Sequence, residues 1–210
     1  MSSASVFRPP NGPFPSNELP DLTPETLTNT DAFPKTWWVT TSTLPMWKTA
    51  KNVRITYTAI PSTDNIDDII HYNPRSGPSA TSATPEEAAK IVTKTIHGVD
   101  SPISKVPMDL TYKWRGKGWL FIASSKWQVV GYGGRNVRSV MGEREYILDG
   151  IEWVVTYFEK SLFTPAGVDV MTLAKEGVDE ETMKEIGEGL KEVGGVVAEL
   201  WKGVFDVPRD

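Results

Sequence analysis

The chain has 210 residues, no cysteine, 22 Lys and Arg against 27 Asp and Glu, and a formal charge of -5. That length suffices for one buried core, and without cysteine there is no disulfide, thiolate nucleophile or cysteine-ligated metal centre. The acidic balance argues against nucleic acid or an anionic membrane as partner, because phosphates demand clustered Lys and Arg.

Residues 1–34 contain Pro9, Pro10, Pro13, Pro15, Pro20, Pro24 and Pro34, a density that prevents helix and ladder alike, so they read as an extended, proline-rich arm ahead of a barrel domain over 35–210. Met1 to Pro20 lacks a basic region followed by an apolar one, so no secretory signal is expected and the chain is assigned to the cytoplasm. No run approaches the roughly 18 apolar residues that a spanning helix needs, so no membrane span is expected.

From Thr36 onward, β-branched and aromatic runs separated by turn residues predict eight strands: Trp37 to Thr43, Asn52 to Ile60, Ile66 to Tyr72, Ile91 to Val99, Met108 to Trp114, Lys126 to Tyr132, Ile151 to Glu159 and Val168 to Thr172. Thr84-Pro85-Glu86-Glu87 supplies a cap, a proline at the first helical position and acids in the first turn, predicting a short helix to about Lys90. Gly131-Tyr132-Gly133-Gly134 reads as a loop. Asp179-Glu180-Glu181-Thr182 opens a second helix, with Met183, Ile186, Leu190 and Val193 on one stripe and Gly194-Gly195 ending it. The stripe needs an apolar surface, and the outside of the barrel wall is available. The segment 196–205 fits helix or strand.

Eight antiparallel strands that close on themselves remove all sheet edges and leave room for one small ligand. The order of parts resembles the lipocalins of the calycin superfamily, especially the bacterial lipocalin and apolipoprotein D branch. Lys35-Thr36-Trp37-Trp38-Val39 is similar to the opening Gly-x-Trp-Tyr strand, Val53-Arg54-Ile55-Thr56-Tyr57-Thr58 to the second strand, and Trp153 to Thr172 with the following Lys175 to Glu181 to the last hairpin and its helix. Lys35 stands in place of the glycine, and Leu173 near the place of the arginine that stacks on the opening tryptophan; Lys175 and Arg8 are the cations available instead. Gly133 to Gly150 looks like an insertion. The resemblance implies an up-and-down eight-stranded barrel with a C-terminal amphipathic helix packed outside, Trp37 plugging its closed end, and the binding of hydrophobic molecules.

The two histidines, His71 and His97, lack metal-ligand spacing. No helix follows the glycine run to make a phosphate-binding turn, and Ser124-Ser125 lacks a nucleophile-elbow context. No metal and no cofactor is expected. What remains is acid-base chemistry in an aromatic cavity, with Arg54, His71, Asp169 and Tyr157 as catalytic candidates. Side-chain alternation puts Tyr57, Tyr112, Trp114, Trp127, Trp153 and Val155 on matching faces, the candidate ligand-binding wall. Asp169 stands between Val168 and Val170, and alternation with those valines assigns it outward; inward, its carboxylate would be desolvated and its pKa raised. His71, between Ile70 and Tyr72, faces the same choice. The functional expectation is a barrel that holds an apolar or aromatic metabolite and promotes its cofactor-independent cyclisation or isomerisation. Two alternatives remain open: a non-catalytic carrier or sequestering protein, and an interaction module using the proline-rich arm. The oligomeric state is not legible.

Overall fold

The structure, a computed structural model, describes residues 3–15, 27–28, 35–79, 81–82, 84–104, 109–135, 139–141, 144–146 and 151–210. In chain order the strands are β1 (Ser3–Phe7), β2 (Lys35–Ser42), β3 (Ala50–Ala59), β4 (Ile66–Pro74), β5 (Lys94–Pro102), β6 (Thr111–Gly116), β7 (Ser124–Arg135), β8 (Ser139–Met141), β9 (Arg144–Tyr146), β10 (Trp153–Phe158), β11 (Gly167–Thr172) and β12 (Phe205–Asp206). The helices are α1 (Pro85–Ala88), α2 (Glu180–Val193) and α3 (Gly195–Trp201).

Each barrel strand pairs antiparallel with the next, in the order β2-β3-β4-β5-β6-β7-β10-β11, and β11 returns to β2. This is the closed eight-stranded up-and-down barrel of lipocalin type that the sequence implies, with its late helix outside. Among the described residues, β8 and β9 form a separate two-stranded sheet within the 133–150 segment.

The short helix begins where its capping chemistry predicts. The Thr84 side chain accepts from the Glu87 backbone N–H while the Glu87 carboxylate accepts from the Thr84 N–H. In α2, Asp179 caps the Thr182 N–H at 2.8 Å, and Gly194, at φ 73°, turns the chain out of the helix. The helical stripe is real: Ile186 and Leu190 are fully buried with Val197 and Trp201 of α3 against Val130, Trp153, Val155, Tyr157, Val168 and Val170. Each of the two aliphatic side chains gains about 1.5 to 3 kcal/mol on burial there. The ambiguous segment resolves into α3 followed by β12.

β2 pairs with β3 only over Lys35 to Trp38. Beyond that point the two strands diverge and the last residues of the sequence fill the seam. Thr41 and Ser42 pair with β12, Val207 N–H donates to Thr40 O, and Asn52 N–H donates to Pro208 O. Asp210 locks the wedge by accepting from Lys51 Nζ at 2.6 Å and from Asn52 Nδ2 at 2.5 Å. Burial opposes ionisation of Asp210, but these bonds and one from Ser79 hold its carboxyl down at about 2.

The arm differs from a passive extended segment. Ser3 to Phe7 forms a ladder with Arg135 to Gly131 of β7, because the first proline comes only at residue 9 and the backbone before it is free to pair. Gly131-Tyr132-Gly133-Gly134, read as a loop, is therefore strand on both sides, bonded to β1 and to β10. Its glycines leave space: a Cβ on Gly131 would stand 2.5 Å from the Phe7 ring, and one on Gly189 of α2 would stand 2.3 Å from its other side. Phe7 is thus a wedge between barrel and helix, 5.8 Å from Trp153 between ring centroids. Arg8 is buried too, its Nε donating to Val129 O at 2.7 Å and its guanidinium lying over Phe14. Leu27 is fully buried and accepts from Trp37 Nε1 at 3.0 Å. Pro20, Pro24, Pro34 and the expected strand start at Met108 lie outside the described residues.

Replacing Phe7 by Ala empties a slot shaped by two glycines and should lower stability by roughly 2 to 3 kcal/mol, the scale of removing a largely packed aromatic ring. Urea unfolding measures it, and a loss under 0.5 kcal/mol would show that β1 is an ornament on the barrel.

Candidate functional site

Inside the barrel lies a cavity of about 760 Å³. Its wall takes alternate residues from most barrel strands: Ile55 and Tyr57 of β3, Asp68, Ile70 and Tyr72 of β4, Ile96 of β5, Trp114 of β6, Ser125 and Trp127 of β7, Phe158 of β10 and Asp169 of β11. The β2–β3, β6–β7 and β10–β11 connections surround the mouth, where Trp119, Ile122 and Phe163 are 82%, 65% and 57% exposed. Exposed apolar side chains gathered at one mouth mark a candidate interaction site.

Trp127 anchors the aromatic wall. Its ring lies nearly parallel to Tyr57 (5.6 Å, 16°) and to Tyr112 (4.8 Å, 25°), with Phe158 beyond at 6.4 Å. Its indole N–H donates to Asp100 Oδ1 at 2.7 Å. Trp114 occupies the space that Gly98 leaves on the neighbouring strand, where a Cβ would come within 2.2 Å of the indole nitrogen. Gly98 is opposite Asp68 in the β4–β5 register, so the Trp114 N–H is brought beside the Asp68 carboxyl, where it opposes the rise in the acid's pKa.

Among the described residues, three carboxyls are buried on the inner face: Asp68 at 4% exposure, Asp100 and Asp169 at 0%. Ser42 Oγ donates to Asp169 Oδ1 at 2.5 Å and Trp47 Nε1 to Oδ2 at 3.1 Å. Burial raises the Asp169 pKa to about 7 despite both bonds. Burial likewise lifts Asp68 well above the usual carboxylate range, reinforced by the charges of Asp100 and Asp67, and Asp100 is raised by burial against its bond from Trp127. Tyr57 stands among all three. Burial first, then Asp68, Asp100 and Asp169, push its phenol well above the ordinary value.

The structure distributes the sequence candidates between two faces. Tyr57, Trp114 and Trp127 line the cavity, with Tyr112 stacked on Trp127. Trp153, Val155 and Tyr157, expected on the same wall, lie outside it in the layer beneath α2 and α3. All but the last residue of β10 are buried, because the helices cover its outer face, and a strand with two apolar faces carries no alternation to assign them. The same double burial reverses Asp169: Val168 and Val170 do claim a buried face, but it is the one under the helices, which turns Asp169 into the barrel. Arg54 and His71 are neighbours on the outer wall, where Arg54 lies over Trp38 and the buried surroundings and Arg54 charge lower the His71 pKa. Lys175 also lies over Trp38, whereas Trp37 is the fully buried member of that pair. Of the four catalytic candidates only Asp169 reaches the cavity.

Asp68, Asp100 and Trp47 are not among the residues that the sequence pattern singles out. Asp68 nevertheless shares the strand phase of Ile66, Ile70 and Tyr72. Its chain neighbour Asp67 faces outward and meets His97 Nε2 at 2.9 Å and Lys117 Nζ at 2.5 Å.

No protein-family model and no curated protein matches the chain. Among solved structures it is similar to apocrustacyanin C1, with 7% identity, a TM-score of 0.47, and coverage of 84% of this chain and 77% of that one. It is also similar to the amine binding protein of Rhodnius prolixus in its tryptamine complex, with 13% identity, a TM-score of 0.49, and coverage of 91% and 83%. The strand order and closure, not these likenesses, establish the lipocalin-type barrel.

Asp169 gives the site a pH signature. Its folded pKa of about 7 lies above the ordinary 3.8, so its contribution to stability is full below about pH 4 and is lost as pH rises through 7. Asp169→Asn, which cannot ionise, should flatten the stability profile between pH 4 and 7. At pH 8 it should equal or exceed the wild type by about 1 to 2 kcal/mol in urea unfolding; a variant less stable at pH 8 than at pH 4 by the wild-type margin would contradict an inward, desolvated carboxyl.

Proposed function

We propose that this barrel binds a flat, apolar or aromatic small molecule in its interior. The cavity of about 760 Å³ carries the proposal: it is walled by Ile55, Ile70 and Ile96 and by the rings of Tyr57, Tyr72, Trp114 and Trp127, and its size falls in the range of small-molecule sites. Half-buried Ile70, Tyr72, Ile96 and Trp114 belong to this wall, so a ligand would remove apolar surface from water that the folded protein alone does not cover.

A second reading is favoured by one observation, the Asp169 carboxyl on the cavity wall with a pKa raised to about 7. A group so poised takes a proton from one atom of a bound molecule and returns it to another near neutrality. Together with enforced proximity in a shaped pocket, this supports a cofactor-independent isomerisation or cyclisation. Ser42 and Trp47 would hold the carboxylate in place, and Tyr57 would stand as a neutral hydroxyl beside the substrate. A carrier without chemistry is the competing reading.

Native mass spectrometry of the purified protein should show a bound small molecule, and adding it to emptied protein should quench tryptophan fluorescence. Trp127→Phe should weaken binding by about 0.5 to 1.5 kcal/mol with the fold intact; wild-type protein that neither retains nor binds any apolar or aromatic compound would refute the binding proposal. Isomerisation or cyclisation would change the chromatographic retention of the compound at constant mass, and Asp169→Asn should abolish that change while leaving binding. Unchanged retention would identify a carrier.

A further inference from the structure

The inner carboxyls Asp68 and Asp100 are an unusual burden for an apolar cavity. They lie on adjacent strands and on one face: Asp68 is opposite Gly98 and Ile66 is opposite Asp100, which makes the two acids diagonal neighbours. Asp68 is 4% exposed and Asp100 fully buried. Asp68 Oδ1 and Asp100 Oδ2 have no hydrogen-bond partner among the described residues. Buried oxygens left unpaired are costly, and natural interiors rarely keep them without a use. No described Lys, Arg or His pairs with either acid; among the described residues, the one cationic side chain on the cavity lining, Lys94, is exposed.

Aromatic rings surround the same place. Tyr57 is the register partner of Asp68 on β3, Trp127 holds Asp100, and the indole of Trp114 lies over Gly98 beside Asp68. Carboxylates supply a counter-charge and ring faces attract cations through their quadrupoles. An anion would be repelled, and a neutral hydrocarbon would leave Asp68 on the cavity wall without a charged partner. The described residues contain no group of three His, Asp or Glu that could hold a metal ion, so the cation that fits is organic.

We propose that the barrel is selective for an organic cation, a protonated amine on an apolar or aromatic body, with the ammonium held by Asp68 on the cavity wall, Asp100 adding its charge from behind Trp127, and the body lying against Tyr57, Trp114 and Trp127. This deepens, and rests on, the small-molecule reading of the cavity. The ammonium would give the Asp68 carboxyl the charged partner it lacks, while Asp169, held separately by Ser42 and Trp47, would remain available to another part of the molecule.

The test uses three probes with one ring system: 2-(1-naphthyl)ethylamine, 2-(1-naphthyl)ethanol and 1-naphthylacetate, titrated at pH 7.5 by fluorescence and calorimetry. The amine should bind at least tenfold tighter than the alcohol, the scale of a charge-assisted bond in a dry site, and the acetate weakest. Asp68→Asn should remove that preference, with alcohol affinity within about threefold of wild type. Asp100→Asn serves as the second variant should the first melt below the assay temperature. If the wild type binds the alcohol or the acetate as tightly as the amine, the cation proposal falls while the small-molecule reading stands. If the preference for the amine survives both substitutions, these acids do not recognise the cation and the proposal falls. If none of the probes binds, the proposal falls together with the cavity reading for ligands of this size.

Discussion

The wall made by β10 and β11 is buried on both faces, and that double burial constrains the rest of the molecule. Its outer side carries Trp153, Val155, Tyr157, Val168 and Val170, which only the helices can cover. Its inner side contributes Phe158 and Asp169 to the cavity. A two-sided apolar wall in a closed barrel needs an external cover, because one-sided sheets keep a solvated face and this part has none. The cover in turn explains the N-terminal strand. Phe7 fits only because Gly131 on the barrel and Gly189 on the helix both lack side chains, so helix, arm and barrel form one packed unit.

Closure also concentrates unlike chemistry a single peptide apart. Asp67 and Asp68 are consecutive, and the strand period of two sends them to opposite sides of the wall. Outside, His97 and Lys117 bond Asp67 and bring its pKa down against the cost of partial burial. Inside, Asp68 meets rings and other acids, so burial and like charge raise its pKa. The same carboxylic acid is thus a solvated surface anion at one position and a proton or cation acceptor at the next. Asp100 and Asp169 extend the inner set, and Tyr57 stands where the three influences meet.

The seam between β2 and β3 shows how the barrel tolerates irregularity. Where the strands diverge, the backbone groups of Thr40, Thr41, Ser42 and Asn52 would be left without partners, and residues 205–208 supply them. Lys51 and Asn52 then anchor Asp210. Ser42 belongs to this region and also donates to Asp169, so the seam and the cavity carboxyl share a residue.

Much of this architecture is determined by the sequence alone. Alternation in Val53-Arg54-Ile55-Thr56-Tyr57 separates inner from outer residues on β3, the capping residues at Thr84 and Asp179 start helices where they are observed, and the stripe Met183, Ile186, Leu190, Val193 announces a helix that must be covered. These features are local, encoded within a few residues by the periods 2 and 3.6. What the tertiary structure alone decided depends on contacts between distant segments. The helices bury the outer face of β10 and β11, which sends Trp153, Val155 and Tyr157 out of the cavity and Asp169 into it. The glycines at 131 and 133, which read locally as a turn, become strand because β1 and β10 lie on either side of them. The diagonal approach of Asp68 and Asp100 depends on the register between two separate strands, and a hydrophobic pattern cannot specify which polar residues on two strands become neighbours until the sheet closes and fixes that register.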